Sequence, residues 1–282
     1  MPPAHSPNGL PLAVVVGGCG GMGLACVRRL AQHHAVMIAD IDFEKSTRVA
    51  TELREEGLVV IPNRCDATDP ASIADLIAQA SRIGKIQTLC HVLGLSPSMA
   101  GWRRIMTVNL IGAALMAEAA LPAMAPEGVG LFVASMAAHV IQPDAAMLHA
   151  LDNPLVTDFL AAIEAAAGCE PTSGEAYGLS KLGMIRLCRR LALRWGEQSV
   201  RILSLSPGLI ETPMGLLESS NNPGKQGLVA KTPLRRQGSL TEIIDAVEFL
   251  CSERASFITG TDLLVDGGLA AGAMPLRSQL PN

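Results

Sequence analysis

Residues 12–23 read Leu-Ala-Val-Val-Val-Gly-Gly-Cys-Gly-Gly-Met-Gly, an apolar run that ends in a cluster of glycines. The run Leu12–Val16 is short and rich in β-branched residues, a pattern that predicts a buried strand. From Gly21 to Gln32 apolar residues recur near helical spacing, which predicts a helix directly after the glycines. A strand, a tight turn and a helix are therefore expected in immediate succession.

Three of the glycines, Gly17, Gly21 and Gly23, have the spacing G-x3-G-x-G. Glycine permits the unusual φ angles of a tight turn and a close approach of the backbone to a pyrophosphate. The N-terminus of the following helix, where Met22 lies, offers N–H groups and the positive end of a dipole to the same anion. No lysine follows Gly23, which disfavours a Walker-type phosphate loop. The turn therefore predicts a dinucleotide-binding site.

Apolar strands and amphipathic helices alternate along the rest of the chain. This alternation predicts a parallel sheet that carries helices on both faces and is doubly wound by right-handed crossovers. We therefore expect an α/β fold with a seven-stranded parallel sheet of Rossmann type in a single domain. The predicted strands are 12–16, 35–39, 58–61, 86–93, 129–134, 200–205 and 262–265, and the predicted helices are 21–32, 44–56, 70–83, 103–124, 175–195 and 241–251.

We expect residues 12–270 to form this domain, with a flexible arm over 1–11 and a tail over 271–282. Residues 140–174 interrupt the alternation and are interpreted as an insert. An added surface helix, a wall over the active site and a subunit contact are alternative roles for it.

A helix is predicted inside this insert. Asn153 can cap it, Pro154 suits its first turn, and Gly168 can close it. The apolar stripe of that helix would consist of Leu155, Phe159, Leu160 and Ile163.

The composition excludes several classes of protein. The chain has 282 residues, of which 49% are hydrophobic and 17% charged, with a formal net charge of -4. It is too apolar for a disordered protein, and its mild acidity gives no footprint for nucleic acid. We expect no transmembrane helix and no secretory signal. Seven cysteines are spread singly without a CxxC motif, which disfavours a metal site and favours a reducing compartment, the cytoplasm.

Asp40 ends the second predicted strand, 17 residues after Gly23. A carboxylate at this position can accept hydrogen bonds from the ribose hydroxyls of adenosine and would repel a 2′-phosphate. The next residues, Ile41, Asp42 and Phe43, include no arginine that could pair with such a phosphate. The sequence therefore predicts NAD as cofactor rather than NADP.

Tyr177, the one tyrosine of the chain, is followed four residues later by Lys181. Residues at this spacing share one face of a helix. A free phenol has a pKa of about 10, and a nearby cation typically lowers the pKa of an acid by roughly 1–3 units. We therefore expect Lys181 to lower the pKa of Tyr177, which would let the phenol exchange a proton with an alcohol or a carbonyl.

Two further polar residues are candidates for the same site. Ser135 follows the fifth predicted strand, at the sheet edge where ligands bind in open α/β folds. Asn109 lies in the middle of a predicted helix, an unfavourable place for asparagine. The alternative for Asn109 is a solvated or locally bonded side chain.

Taken together, these residues resemble the short-chain dehydrogenase/reductase family over about Leu12–Gly268. The glycine turn resembles the family's TGxxxGxG, with Val16 in place of threonine, and His91-Val-Leu-Gly94 keeps only the glycine of NNAG. The resemblance implies a catalytic tetrad of Asn109, Ser135, Tyr177 and Lys181. It also implies cofactor contacts by Gly17, Gly21, Met22, Gly23, Asp40, Asp66, Gly94, Tyr177, Lys181, Pro207, Gly208 and Thr212.

The resemblance implies reversible hydride transfer between NAD(H) and a secondary alcohol or ketone. In that scheme Tyr177 moves the proton, Lys181 lowers its pKa and holds the ribose, and Ser135 fixes the substrate oxygen. Asn109 would hold a water that passes the proton to solvent through Lys181. Apolar residues in the expected pocket wall, 214–226, favour a steroid or a cyclic alcohol as substrate.

The long insert before Tyr177 is similar to that of the 3α-hydroxysteroid dehydrogenase/carbonyl reductase subgroup, and a homodimer or homotetramer is implied. Enoyl reductases share the fold but need a wider Tyr-to-Lys spacing, and Met184 occupies the position seven after Tyr177. Sugar-nucleotide epimerases share Tyr-x3-Lys but usually carry a further domain. A catalytically silent NAD-binding sensor or interaction protein is the alternative from another class.

Overall fold

The computed structural model describes residues 9–211 and 223–273. Seven strands form one parallel sheet in the order β3-β2-β1-β4-β5-β6-β9, and two more, β7 and β8, pair separately. The seven-stranded, doubly wound sheet predicted from the sequence is therefore confirmed. The strands are β1 (Leu12–Val16), β2 (Ala35–Asp40), β3 (Val60–Arg64), β4 (Ile86–His91), β5 (Met124–Val133), β6 (Arg201–Pro207), β7 (Ile210–Glu211), β8 (Gly238–Ser239) and β9 (Asp262–Val265).

Helices cover both faces of this sheet. The helix α4 runs through a π-helical turn, Thr107–Ile111, into α5. The helices are α1 (Gly21–Leu30), α2 (Phe43–Glu55), α3 (Pro70–Ile83), α4 (Trp102–Met106), α5 (Gly112–Ala120), α6 (Ala137–Val140), α7 (Ala145–Leu151), α8 (Phe159–Ala167), α9 (Ser173–Gly196), α10 (Pro223–Lys231), α11 (Leu240–Cys251) and α12 (Leu269–Ala273).

Strand β1 shows why the apolar runs are continuous rather than alternating. All five of its residues are buried. Ala13 and Val15 belong to the core that includes residues of α1, α2 and α11, whereas Val14 and Val16 belong to the core on the opposite face. A strand in the middle of a parallel sheet must be apolar on both sides because both faces are covered.

The ends of the strands place most of the predicted site residues at one edge. Gly17 follows β1, Asp40 ends β2, and Ser135 lies two residues beyond β5. The crossover point lies between β1 and β4, from which the chain order runs in opposite directions. In such sheets the crevice at the carboxyl ends of the strands is the binding site.

Several predicted boundaries were wrong, each for a local reason. The third strand begins at Val60 rather than Leu58, because the Leu58 N–H still closes the preceding helix onto the Leu53 carbonyl. The fourth strand ends at His91 rather than Leu93, because the Val92 and Leu93 N–H groups both bind the carbonyl of Val16. Two-residue strands such as β7 and β8 leave no periodic signal in a sequence.

The insert, residues 140–174, packs on the body of the domain. Its helix α8 begins at Phe159 rather than at Pro154, and it ends at Gly168, which adopts the predicted left-handed conformation. Phe159 and Ile163 are buried in a third core with residues of α4 and α9, whereas Leu155 stays exposed. The sequence did not predict α7, a short second helix of the insert.

The segment Trp102–Ala123 is long and apolar enough to cross a membrane by length and composition alone. However, 67% of its most apolar window is buried inside the protein. Its apolar character therefore serves the core between the sheet and α9.

Candidate active site

The glycine turn after β1 is too crowded for a side chain at two of its positions and is open at two others. Gly17 has a φ of 81°, and a Cβ atom there would lie 2.9 Å from the Leu93 backbone. A Cβ at Gly23 would collide with the Gly17 carbonyl oxygen. At Gly20 and Gly21, in contrast, a Cβ would meet no atom within 4 Å, so these residues line open space. This cradle at the N-terminus of α1 fits the pyrophosphate of a dinucleotide.

The carboxylate of Asp40 is held beside this turn by two backbone N–H groups. Cys19 donates to Asp40 Oδ2 over 3.1 Å, and Asp42 donates to Asp40 Oδ1 over 3.1 Å. Burial and the neighbouring carboxylate raise the pKa of the Cys19 thiol to about 12. The thiol therefore stays neutral, and Asp40 supplies the negative charge next to the turn.

The other predicted adenine-side contact, Asp66, binds a residue of the turn in which it lies. Its Oδ1 accepts hydrogen bonds from the hydroxyl of Thr68 over 2.7 Å and from the Thr68 N–H over 2.9 Å. These bonds lower the pKa of Asp66. Cys65, the preceding residue, donates its N–H to the Asp40 carbonyl, so both acids lie at the same edge of the sheet.

Lys181 lies on α9 with its ammonium buried at the end of β5. It is 3% exposed, and its Nζ donates to the Val133 carbonyl over 2.8 Å. Burial lowers the pKa of Lys181 to about 8, so the side chain is mostly protonated at pH 7. A Cβ placed on Gly94 would lie 3.0 Å from Lys181 Nζ and 3.6 Å from Asn109 Oδ1. Gly94, Lys181 and Asn109 therefore converge.

Tyr177 and Ser135 also converge. The Ser135 hydroxyl lies close enough to the Tyr177 phenol to lower its pKa. The Tyr177 ring lies 5.9 Å from Lys181 Nζ, measured to the ring centroid. The structure thus brings together a phenol, a cation and a hydroxyl at the carboxyl edge of the sheet.

The direction of the Tyr177 pKa shift differs from the sequence prediction. Burial raises the pKa of Tyr177, and this effect outweighs the lowering caused by Ser135. The expected lowering by Lys181 is absent; the ammonium donates to the Val133 carbonyl and lies 5.9 Å from the centroid of the Tyr177 ring.

The Asn109 side chain is bonded within the protein. Its Oδ1 accepts from the Leu95 N–H over 2.7 Å, and its Nδ2 donates to the Leu95 carbonyl over 3.0 Å and to Ser180 Oγ over 3.2 Å. Both amide hydrogens of the side chain are therefore used within the protein. It ties the segment after Gly94 to α9, from within the π-helical turn.

Pro207 and Gly208 lie where β6 ends, close to the turn that carries Ser135. The Met136 N–H donates to the Pro207 carbonyl over 2.9 Å, and the Gly208 N–H binds Val265. Met22 lies in the first turn of α1. Thr212 and most of the expected pocket wall, 214–222, lie outside the described residues.

Two buried polar groups near the site were missed by sequence reasoning. His91 is fully buried at the end of β4, and burial together with the Lys181 charge lowers its pKa to about 3. Asp262 begins β9, and its carboxylate is 1% exposed. The available signals were a histidine where the resembled motif has asparagine and an acid at the start of an apolar strand.

This arrangement defines a class of protein. A doubly wound sheet, a glycine turn at a helix N-terminus, an acid at the end of the second strand and a phenol near a buried ammonium are the features expected of a nicotinamide-dependent oxidoreductase.

Comparisons with known proteins agree with this class. The short chain dehydrogenase family model matches residues 11–149, and the enoyl-(acyl carrier protein) reductase model matches residues 159–270. Dehydrogenase/reductase SDR family member 4 of Oryctolagus cuniculus is 30% identical over 269 residues, covering 91% of this chain and 92% of its own. The cis-4-hydroxycyclohexanecarboxylate dehydrogenase of Sinomonas cyclohexanicum is 28% identical over 269 residues, covering 92% and 96%.

Among solved structures, a 7α-hydroxysteroid dehydrogenase complexed with NADH and 7-oxo glycochenodeoxycholic acid superposes with a TM-score of 0.71. It is 26% identical and covers 92% of this chain and 93% of its own. The chain belongs to the short-chain dehydrogenase/reductase family. It is an oxidoreductase that transfers a hydride between a nicotinamide dinucleotide and an alcohol or ketone.

Proposed function

We propose that the protein is an NAD-dependent dehydrogenase of apolar, ring-bearing secondary alcohols, and that Tyr177, Ser135 and Lys181 carry the reaction. The observation that carries the proposal is the convergence of these three side chains, with the Asp40 carboxylate at the far end of the same edge. A bound nicotinamide dinucleotide would supply hydride acceptance and donation at its ring carbon.

The roles of the side chains follow from their positions. The Tyr177 phenol, which lies next to Ser135, exchanges the proton of the substrate hydroxyl. The Ser135 Oγ accepts a bond from the Ala137 N–H over 3.2 Å, which leaves its own hydrogen free to orient a substrate oxygen. The Lys181 ammonium uses one of its three hydrogens on Val133, so two remain for ribose hydroxyls.

Asp40 supports the choice of NAD. Its two oxygens are oriented by the Cys19 and Asp42 N–H groups, and each oxygen retains a lone pair for a ribose hydroxyl. A 2′-phosphate at the same place would meet a fixed negative charge.

The substrate class is supported by the relatives and by the insert. One relative is named for a cyclohexane alcohol, and the superposed structure is named for a hydroxysteroid. In this chain an open pocket of about 430 Å³ lies between α7, α8 and the start of α9. Apolar Ile141, Met147 and Leu179 line it together with polar Gln142, Asp144 and Glu175, whereas Ser135, Tyr177 and Lys181 do not. Ile141 and Tyr177 pack against the same apolar core of the insert. These features favour an apolar ring over a small polar substrate.

A homodimer or homotetramer in the cytoplasm is part of the same proposal. The edge strand β9 exposes Leu263, and Phe257 before it is fully exposed, which supports self-association. All seven cysteines are free thiols, which supports a reducing compartment.

The function is tested by following NADH formation with NAD and with NADP against cyclohexanols, hydroxycyclohexanecarboxylates and hydroxysteroids. We expect turnover with NAD on at least one ring alcohol. Tyr177→Phe should lower turnover by about 10²–10⁴-fold while NADH binding is retained, because only the proton-transfer group is removed. NADH binding without turnover on the whole panel would favour a silent sensor, and half-normal activity of Tyr177→Phe would remove the mechanism.

A further inference from the structure

The carboxylate of Asp262 is buried beneath the turn that carries Ser135. Its Oδ1 accepts from Ser204 Oγ over 2.6 Å and from Ser206 Oγ over 3.1 Å. Its Oδ2 is paired with His139 Nε2 over 2.8 Å. The carboxylate thereby joins β9, β6 and α6 in one polar network.

The order of these groups excludes a hydrolytic triad. Both serine hydroxyls are directed to the carboxylate, and no hydroxyl in this network contacts the imidazole. A nucleophilic serine would need the imidazole as its base. The network therefore acts by holding elements together.

A buried carboxylate with polar partners often stabilises a fold no more than apolar packing of the same volume would. Removing a carboxylate from water costs several kcal/mol, and its partners often only balance that cost. Stability alone is therefore a weak reason for a buried ion here, and a geometric role is the better explanation.

The elements that it joins point to Ser135. His139 lies four residues after Ser135, on the four-residue helix α6. The backbone on either side of Ser135 is already bonded to β6, through Ala134 to Leu205 over 2.7 Å and through Met136 to Pro207 over 2.9 Å. The bond between His139 and Asp262 adds a third attachment, at the far end of α6, and it opposes rotation of the turn.

We propose that His139 and Asp262 are positioning residues that hold the Ser135 hydroxyl against Tyr177. This inference rests on the proposed function for its effect on turnover. Its effect on the Ser135–Tyr177 contact does not require turnover.

The test uses the fact that the chain has one tyrosine. Tyrosine labelled with ¹³C at Cζ gives a single signal that reports the hydrogen bonding of the Tyr177 phenol. The signal, kcat and NADH affinity are measured for His139→Ala, His139→Gln, Asp262→Asn, Ser135→Ala and the double variant Ser135→Ala/His139→Ala. His149→Ala, at an exposed histidine of the insert, is the matched control.

We expect Ser135→Ala and His139→Ala to shift the Tyr177 signal in the same direction, with no further shift in the double variant. His139→Ala should lower kcat about 10- to 100-fold with NADH affinity unchanged, because a small displacement of a catalytic group has effects of this size. In the Ser135→Ala background, His139→Ala should not lower kcat any further. His139→Gln, which can still donate to Asp262, and His149→Ala should resemble the parent protein.

An unchanged Tyr177 signal in His139→Ala, or an equal loss of kcat in the presence and absence of Ser135, would overturn the proposal. If His139→Ala does not fold, Asp262→Asn decides by the same readouts, since it removes the charge and keeps the shape. If no substrate turns over, the proposed function fails, and the Tyr177 signal still decides this inference.

Discussion

At the scale of single residues, the site is organised around Lys181. An ammonium that is 3% exposed needs polar partners, and the Val133 carbonyl provides one of them. The lowered pKa of Lys181, about 8, reflects burial that a bound ribose would offset by further hydrogen bonds.

The first prediction at this scale concerns Asp40. Asp40→Ser should lower kcat/KM with NAD by about 10- to 100-fold, because charge-assisted hydrogen bonds to the ribose contribute roughly 1.5–3 kcal/mol. It should raise kcat/KM with NADP, because the charge that repels the 2′-phosphate is removed.

Steady-state kinetics with both cofactors check this prediction. Asp42→Ser is the matched control, since serine can still accept from the Lys45 N–H at the start of α2. An unaltered ratio of NAD to NADP efficiency in Asp40→Ser would contradict the assigned role of Asp40.

At the scale of elements, two departures from regular structure shape the site. The π-helical turn Thr107–Ile111 lies where Asn109 reaches across to Leu95 and Ser180. Such turns occur frequently at functional sites because they turn one side chain out of the helical register. The insert adds a third apolar core over α4 and α9. Asp152 of the insert also forms an ion pair with Arg186 of α9 at 2.5 Å.

The prediction at this scale is that the insert is part of the cooperative fold. Phe159 is 1% exposed, so Phe159→Ala should lower the free energy of unfolding by about 3–5 kcal/mol. Leu155→Ala, at a side chain that is 45% exposed, should change it by less than about 0.5 kcal/mol. Urea denaturation followed by circular dichroism measures both; equal effects would show that α8 does not pack as described.

At the scale of the whole molecule, the strand order sets both stability and function. Residues far apart in the chain meet because β1, β4, β5 and β6 are neighbours in the sheet. His91 lies at the centre of this arrangement, fully buried and next to the Phe132 ring at 5.4 Å. Within the described residues neither of its ring nitrogens has a hydrogen-bond partner.

His91 predicts a pH dependence of stability. Its folded-state pKa, about 3, is below the usual imidazole value of 6.5, so between these values the unfolded chain binds a proton that the folded chain does not. The free energy of unfolding should therefore fall as the pH decreases through this window, by up to about 1.4 kcal/mol per pH unit from this residue. Above pH 6.5 His91 is unprotonated in both the folded and the unfolded chain, so it no longer changes the free energy of unfolding with pH.

The His91→Leu variant isolates the contribution of His91 to this pH dependence, because leucine does not titrate and suits the buried surroundings of residue 91. Denaturation between pH 7 and pH 5 should show the parent losing stability relative to His91→Leu as the pH falls. His149→Leu is the control at an exposed histidine and should follow the parent. Parallel curves for the parent and His91→Leu would show that His91 protonates in the folded state.

The sequence alone determined the class of fold and the local features on which the proposed cofactor site depends. Local patterns carry this information: the apolar run 12–16, the glycines after it and Asp40 at the end of β2 are each read from neighbouring residues. The Tyr177–Lys181 spacing determined that the two side chains share a face of α9. These features depend on short-range geometry, which the chain specifies directly.

Only the tertiary structure decided how the polar groups are engaged. Burial raises the pKa of Tyr177, where the sequence had predicted a lowered value. The Asn109 side chain is bonded to Leu95, and His139 meets Asp262 across more than a hundred residues of chain. Desolvation and hydrogen-bond partners depend on which strands become neighbours. No local pattern of residues contains that information, because it arises only when the sheet is assembled.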